Sequence, residues 1–261
     1  MAYYETPYPI QRQRKRRYAA LLGVIGVSIP AAAIYFYGLP DELLLWAAFA
    51  LAFFVLEFYA VEVNDLMMTS PGTSVLVAAG VALGPDDAIG GLLAMALIGF
   101  LQPRDFADRR LFQPLANLGI GTLNAAAAAL TLVVLLPSDV TRASLIHVVA
   151  AGAIAAATAD FVSTALTRLV IRQVFGSKLA GPWSNLGQIL VGFVGLGAMG
   201  GFLGYAYVQY SVDHSTFNAM LLLVIATLLI SHLFFASLGR LRVARESMLA
   251  TLVKTLEAKD L

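Results

Sequence analysis

The sequence has 261 residues, of which 59% are hydrophobic and only 13% are charged, and its formal net charge is +1. This composition excludes an ordinary soluble globular domain, and the near-zero net charge identifies no class of charged partner. Because the chain contains no cysteine, disulfides, thiolate metal sites and cysteine nucleophiles are excluded as well.

Most of the chain consists of eight apolar segments, at approximately 18–38, 43–61, 73–84, 87–101, 115–136, 144–172, 186–209 and 217–238. A helix needs about 20 apolar residues to cross the roughly 30 Å hydrocarbon core, and six of the segments qualify. Backbone polar groups in hydrocarbon need internal partners, so the segments are predicted to be helices. The predicted fold class is all-α: a polytopic membrane helix bundle with six full spans and a pair of short helices.

The stretch 1–17 before the first segment is polar and contains five basic residues: Arg12, Arg14, Lys15, Arg16 and Arg17. Next to a first span, such an arm usually sets the orientation and contacts anionic headgroups of the inner leaflet. Nucleic acid is the alternative partner of a basic run, but we expect the lipid bilayer and no nucleic acid. We therefore assign 1–17 as a basic cytoplasmic arm and 18–238 as the transmembrane helical domain.

The two shortest segments, 73–84 and 87–101, are separated by Gly84-Pro85-Asp86-Asp87. Glycine and proline in succession end one helix and allow another to begin. The pair is either two tilted or buried short spans, or a re-entrant hairpin that does not cross. Both alternatives return the chain to the side from which it came.

The seventh segment contains Gly195-Leu-Gly-Ala-Met-Gly200, which matches the G-x-G-x-x-G dinucleotide fingerprint. That fingerprint requires a preceding strand and a helix N-terminus at the pyrophosphate, whereas this one lies inside an apolar run. The glycines also form two small-xxx-small pairs, Gly197/Gly201 and Gly200/Gly204, which allow helix backbones to approach closely. We predict that these four glycines serve helix packing, and we expect no cofactor.

Polar residues inside the apolar segments are the candidates for a binding site. Asp160 lies near the middle of 144–172, and Ser163, Thr164 and Thr167 follow it on the same helix face. A carboxyl group at mid-bilayer costs several kcal/mol unless it is protonated, paired or hydrated. Asp160 is therefore predicted to face the interior of the bundle.

The other candidates are Glu57, Asn117, Asn124 and His232, each within a predicted span. Together with Asp160, they could form a site for a ligand or a proton. The alternative is that they make interhelical hydrogen bonds that fix the packing. A single histidine with no second ligand at i+3 or i+4 predicts no metal site.

The distribution of charge predicts the orientation. With the N-terminus in the cytoplasm, 16 of the 17 Lys and Arg residues lie on the cytoplasmic side, and the exception is Arg142. The outer loops instead carry the acidic residues Asp41, Glu42, Asp86, Asp87, Asp139 and Asp213. This asymmetry is the positive-inside bias of short loops. We expect a multi-pass protein of a bacterial cytoplasmic (inner) membrane with both termini in the cytoplasm.

The C-terminal stretch 239–261 is predicted to be a cytoplasmic connector helix, because the apolar run 217–238 passes into it with only Gly239 to weaken the helix. Its apolar stripe extends over about two heptads, fewer than a coiled coil needs. A homodimer through this helix is compatible with the stripe.

The last part of this stretch resembles the helix that leads into the catalytic domain of HD-GYP-type proteins, which are cyclic-di-GMP phosphodiesterases. The resemblance covers Arg245 to Asp260 and includes the phrase Leu256-Glu-Ala-Lys-Asp260. It implies a signal-transducing sensor that relays a stimulus through its last helix to an HD-GYP-like output domain. The chain ends at Leu261, before any His-Asp metal pair, so no catalytic residue carries over and we expect no enzyme activity from it.

Two stretches upstream, Gly80-Val-Ala-Leu-Gly-Pro85 and Leu111-Phe-Gln-Pro-Leu-Ala-Asn117, resemble membrane modules that are fused to such domains. A more distant similarity, through the Gly-Pro break, is to the substrate-binding subunits of energy-coupling-factor vitamin transporters. Two functions therefore stay open: a sensory module for an unknown small ligand or stimulus, and a transporter subunit that binds a small molecule. An integral-membrane enzyme is a more distant alternative.

Overall fold

A computed structural model describes residues 9–58, 61–64, 67–69, 71–101, 112–175 and 186–210, together with Met248 and Thr251. The predicted span 217–238, and most of the predicted connector helix 239–261, lie outside these residues. The described ranges form seven α-helices: α1 (Pro9–Tyr37), α2 (Leu43–Phe58), α3 (Gly72–Leu83), α4 (Pro85–Gly99), α5 (Phe112–Leu135), α6 (Leu145–Phe175) and α7 (Leu186–Tyr210).

Within the described ranges, three helices contain stretches long and apolar enough to cross a membrane. They are Gln13–Tyr37 of α1, Pro114–Leu135 of α5 and Leu145–Val174 of α6. Of the shorter apolar helices, α3 packs against α5 and α6, and α2 packs against α3 and α4. The fold is therefore a helical membrane bundle, as the composition predicts.

One short β-ribbon interrupts the helices, which the prediction of an all-α chain did not include. Strand β1 (Val61–Asn64) pairs antiparallel with β2 (Met67–Thr69), and Val61 lies opposite Thr69. The Val-Glu-Val-Asn alternation of β1 is typical of a strand. Helix α2 accordingly ends at Phe58, before the end of the predicted segment 43–61. Its 16 residues extend about 24 Å, less than the thickness of a bilayer core.

Helix α1 begins at Pro9 and has 29 residues, so its first turns include the basic stretch that was predicted as a separate arm. Proline is favourable in the first turn of a helix, where its missing N–H has no intrahelical partner to lose. The basic residues therefore continue the first apolar helix without a break.

Helices α3 and α4 form an antiparallel hairpin that turns at Gly84. This glycine has φ +81° and ψ 163°, a conformation that residues with a side chain rarely adopt, and Pro85 opens α4. The hairpin packs at the end of the bundle formed by residues 38–42, 84 and 136–144, which we call the loop end. An added Cβ at Gly90 in α4 would collide with the carbonyl oxygen of Gly38, which follows α1.

The hairpin extends from the loop end only to the middle of the bundle. The hydroxyl of Ser74, in the first turn of α3, donates a hydrogen bond to the carbonyl of Leu196, near the middle of α7 (2.9 Å). At the end of α4, the ring of Phe100 contacts α5 at Gly121, well inside that helix. Within the described residues, the hairpin therefore covers only part of the length of the bundle.

A hydrogen bond from α5 compensates for the proline inside α1. Pro30 has no N–H to donate to the carbonyl four residues earlier, that of Gly26. The hydroxyl of Thr122, which is completely buried, donates to that carbonyl instead (3.2 Å). Glycine at position 26 allows this approach, because an added Cβ there would lie 2.6 Å from Leu118 of α5.

The loop end also contains Arg142, the exception in the predicted positive-inside distribution. Its guanidinium pairs with the carboxylate of Asp139 at 2.8 Å, and both side chains are exposed to solvent. The hydroxyl of Thr141 donates to the same carboxylate and lowers the pKa of Asp139. The carbonyl of Thr141 in turn accepts a hydrogen bond from Gln209 at the end of α7, at 2.8 Å.

Buried apolar side chains form two clusters. The larger one joins all six helices from α1 to α6 in the half of the bundle near the loop end. The smaller one joins α1, α5 and α6 near the opposite end, around Leu22, Ala116, Val170 and Val174. Along α6, the larger cluster ends at Ala159 and the smaller one begins at Val170, so the polar residues of α6 lie between them.

Candidate functional site

Helices α6 and α7 cross antiparallel with their backbones in contact. A Cβ added at Gly197 would collide with Ala156 and with the carbonyl oxygen of Gly152, and one at Gly201 would lie 2.7 Å from the carbonyl oxygen of Val148. Gly152 is equally close from the other side, since its Cβ would lie 2.6 Å from the carbonyl oxygen of Gly197. Glycine at these positions therefore determines how closely the two helices pack.

The other pair of glycines on α7 contacts a different helix, α3. A Cβ at Gly200 would lie 2.5 Å from the carbonyl oxygen of Ser74, and one at Gly204 would lie 2.7 Å from that of Ala78. Gly197/Gly201 and Gly200/Gly204 are thus two faces of one helix, which is held closely between α6 and α3. The whole G-x-G-x-x-G match lies inside α7, so it lacks the strand and the helix N-terminus of a nucleotide site.

Asp160 lies on the face of α6 that is turned toward α7. It follows Ala156 by one helical turn, and Ala156 contacts Gly197. Continued from the pairs Gly152/Gly197 and Val148/Gly201, the antiparallel register places Asp160 at the level of residue 189 of α7. Asp160 is only 3% exposed, and Thr164, one turn further on, is 4% exposed.

Two oxygen atoms of this pair are buried without a hydrogen bond to any part of the chain that the structure describes. They are Oδ2 of Asp160 and Oγ1 of Thr164. Buried polar atoms are almost always hydrogen-bonded in folded proteins, and each exception needs an explanation. An unpartnered buried carboxylate oxygen costs more than a neutral group, because it carries charge. Neighbouring turns of one helix therefore present two acceptor oxygens that lack a donor.

Four other hydroxyl groups on the described helices are hydrogen-bonded to the chain. Thr131 and Thr158 donate to carbonyls of their own helices, at 2.7 and 2.8 Å. Thr122 and Ser74 donate to carbonyls of neighbouring helices. The hydroxyl of Thr164 makes neither kind of bond, although the backbone carbonyl of Asp160 is four residues earlier. Its hydrogen-bonding capacity is thus available to something other than the described chain.

The remaining candidates lie at a different interface, around the end of α4. Asn117 and Asn124 flank Gly121 on α5, where the ring of Phe100 packs, and both are half-buried. Phe100 also makes an edge-to-face contact with Phe53 of α2, with ring centroids 5.5 Å apart. Glu57 follows Phe53 by one turn and is half-buried too.

The structure therefore divides the candidates between two interfaces. Asp160 lies between α6 and α7, whereas Glu57, Asn117 and Asn124 surround the junction of α2, α4 and α5. His232 lies outside the described residues. In the described part of the chain, no three His, Asp or Glu side chains are close enough together to hold a metal ion.

Sequence reasoning did not identify two polar residues that the structure makes important, Thr122 and Ser74. Both are completely buried, and each donates to a carbonyl of another helix. Pro30 gave a signal for the first, since a proline inside a predicted span leaves a carbonyl without its donor. For Ser74 the sequence offers no comparable signal.

Comparison with known proteins gave no match: no family, no curated protein and no solved structure is detectably similar to this chain.

Proposed function

We propose that this chain is a sensory module of a bacterial cytoplasmic membrane, which relays a stimulus through its last apolar segment and the connector 239–261 to a cytoplasmic output domain of the HD-GYP type. The observation that carries the proposal is the crossing of α7 with α6 and α3. Helix α7 precedes the last segment in the chain, and its glycines hold it in backbone contact with both neighbours. A change at this crossing would therefore move the element that leads to the output.

The physical basis of such a relay is that close-packed interfaces change between discrete arrangements rather than deform continuously. At the α6–α7 crossing, a shift of about 1 Å decides whether backbone atoms are in contact. A stimulus changes the balance between two packings only if it binds one of them more tightly. Asp160, buried one turn from the contact between Ala156 and Gly197, provides a polar group through which such a difference could arise.

The sequence supports the proposed direction of the relay. The positive-inside distribution favours both termini in the cytoplasm, with the loop end outside and six full spans besides the α3–α4 hairpin. The resemblance of 245–260 to the helix that leads into HD-GYP domains supports the identity of the output. In this proposal the phosphodiesterase chemistry belongs to the output domain, and residues 1–261 contribute regulation.

The relay can be tested by changing the phase of the connector. A phosphodiesterase domain of the HD-GYP type is fused after Leu261, and one to seven alanines are inserted after Ala244. Each added residue rotates the following helix by about 100°, and seven residues restore nearly the original direction. We expect cyclic-di-GMP hydrolysis in membranes to change with one to three insertions and to recover at seven.

Two outcomes of this experiment would contradict the proposal. Hydrolysis that is the same for all insertions would mean that the bundle only anchors the domain. Hydrolysis that declines steadily with length, without recovery, would indicate a tether rather than a helical relay. The reading frame that follows Leu261 gives an independent check, because the proposal expects it to encode a His-Asp metal pair.

A second candidate function is substrate binding for transport, as in the energy-coupling-factor vitamin transporters. The observation that favours it is the α3–α4 hairpin, which reaches only the middle of the bundle, since broken or short helices often line sites in transporters. Under this candidate, the purified protein binds one vitamin from a labelled panel of water-soluble vitamins, and Asp160→Asn abolishes binding. The absence of binding across the panel, with the wild-type protein folded, would eliminate it.

A further inference from the structure

We propose that Asp160 and Thr164 form a binding site for a single small monovalent cation, buried between α6 and α7. The site requires no output domain, so the proposal stands apart from the proposed function. Only the further step, that the cation is the stimulus, depends on it.

The first argument is that no protonation state of Asp160 satisfies its Oδ2 within the described chain. If the carboxyl group is ionised, Oδ2 is an acceptor without a donor. If it is protonated on Oδ2, the O–H is a donor without an acceptor. Thr164 does not supply the missing bond in the structure, because its hydroxyl oxygen makes no hydrogen bond either. A third species between the two oxygens satisfies both.

The second argument concerns size. Asp160 and Thr164 are 3% and 4% exposed, and one turn away Ala156 contacts Gly197. A Cβ on that glycine would already collide with α6. In this packing the space beside the two side chains suits a single ion or water molecule, whereas an organic ligand would require α6 and α7 to move apart. The species between the two oxygens in this packing is therefore a single ion or a water molecule.

The third argument concerns charge. Helix α3 begins about two turns closer to the loop end than Asp160, and a helix N-terminus carries only roughly half a positive charge. That would leave part of a full carboxylate charge uncompensated in a medium where charge is costly. Arg168 lies two turns further along α6, about 12 Å away along the axis; it makes interactions of its own, and its Nη1 is buried without a hydrogen bond to the described chain. A monovalent cation at Oδ2 neutralises the carboxylate directly.

The donor set also selects the class of ion. One carboxylate and one hydroxyl carry a single negative charge, and the described residues contain no group of three His, Asp or Glu side chains that could hold a metal ion. Oxygen donors of low charge suit Na⁺, Li⁺ or ammonium, with backbone carbonyls or a water molecule completing the coordination. Divalent ions prefer several carboxylates.

The experiment uses the full chain in lipid nanodiscs and measures its thermal unfolding midpoint. Sodium, lithium, potassium or ammonium chloride replaces choline chloride at constant ionic strength and constant pH. A bound ion stabilises the folded state in proportion to the logarithm of its concentration above the dissociation constant. We expect the wild-type midpoint to rise with at least one of the small cations, relative to choline.

Two substitutions remove the site and one serves as a matched control. Asp160→Asn and Thr164→Val should each weaken the apparent cation affinity by at least tenfold, because each removes one of the two oxygen donors. Thr158→Val is the same change on the same helix. Its hydroxyl is already bonded to the carbonyl of Ile154, so the cation dependence should equal that of the wild type.

The proposal is overturned if no cation shifts the midpoint relative to choline, a result that would assign a bound water to the site. It is also overturned if Asp160→Asn retains the full shift. If Asp160→Asn fails to fold, the site is tested instead by comparing the line width of the ²³Na resonance in the presence of wild-type protein and of Thr164→Val. If both proteins broaden the ²³Na resonance equally, the proposed site is refuted. Neither result affects the insertion experiment, so the two proposals fail separately.

Discussion

The closeness of the α6–α7 crossing leads to a sharp prediction for Gly197→Ala. A Cβ at this position would lie 3.0 Å from the Cα of Ala153 and would collide with Ala156 and with the carbonyl of Gly152. Optimal carbon contacts are about 3.5–4.0 Å, so the helices must move apart by at least about 0.5 Å. The obstacles are mostly backbone, which cannot rotate away, so the cost should be near the upper end of the roughly 1–3 kcal/mol typical of overpacking.

Gly195→Ala is the matched control, two residues away on the same helix. A Cβ there meets no atom of the described chain within 4 Å, and the residue is exposed. Both variants gain the same helix propensity, about 1 kcal/mol for replacing glycine by alanine. The difference between them therefore isolates the steric cost, which we expect to be roughly 2–3 kcal/mol.

The assay is reversible unfolding in mixed micelles of detergent and SDS, followed by circular dichroism, with the free energy of unfolding obtained for wild type and both variants. Gly195→Ala should match or exceed the wild type, and Gly197→Ala should lie below it. Equal free energies for the two variants would refute the reasoning, because the crossing would then have room for a methyl group.

Three further predictions follow from single contacts and use the same unfolding assay. Thr122→Val should lower the free energy of unfolding by about 0.6–1.7 kcal/mol, as interhelical hydrogen bonds in membranes do. In a Pro30→Ala background this cost should vanish, because the restored N–H of residue 30 bonds the same carbonyl. An undiminished cost there would contradict the idea that Thr122 replaces the missing proline N–H. Gly84→Ala should cost about 1–3 kcal/mol because of its backbone conformation, and no loss would mean that the hairpin turns differently. Trp46→Phe should cost about 1–2 kcal/mol, since it removes the indole hydrogen bond (3.0 Å) to a buried carbonyl of α4, and an unchanged stability would contradict that bond.

The sequence predicts the helices better than it predicts their partners. The Gly84-Pro85 break and the two short helices beside it follow from local chemistry, because glycine and proline act on the backbone at their own positions. The spacing of Gly197, Gly200 and Gly201 indicates two packing faces. It does not indicate that one face meets α6 and the other α3, because apolar helices in lipid offer each other no distinguishing hydrophobic pattern.

The candidate site was only partly predictable for a related reason. The burial of Asp160 could be predicted from the sequence, because exposing a carboxyl group to lipid is costly wherever it lies in a span. Whether it meets Asn117 and Asn124 depends on how α5 and α6 are rotated relative to each other. Single residues do not encode that rotation. The β-ribbon formed by β1 and β2 was not predicted, because residues 62–69 lie between the predicted segments 43–61 and 73–84 and are too few to give a clear periodicity.

The central claim is that occupancy of the Asp160–Thr164 site changes the packing of α7 within the bundle. Since the chain has no cysteine, spin labels can be attached solely at engineered positions, for example Leu130→Cys on α5 and Phe202→Cys on α7, both exposed in the structure. Pulsed electron paramagnetic resonance in nanodiscs then gives the distribution of distances between α5 and α7. We expect that distribution to differ between sodium and choline in the otherwise wild-type protein and to be the same in both when Asp160 is replaced by Asn. One distribution, unchanged by the ion in either protein, would contradict the claim.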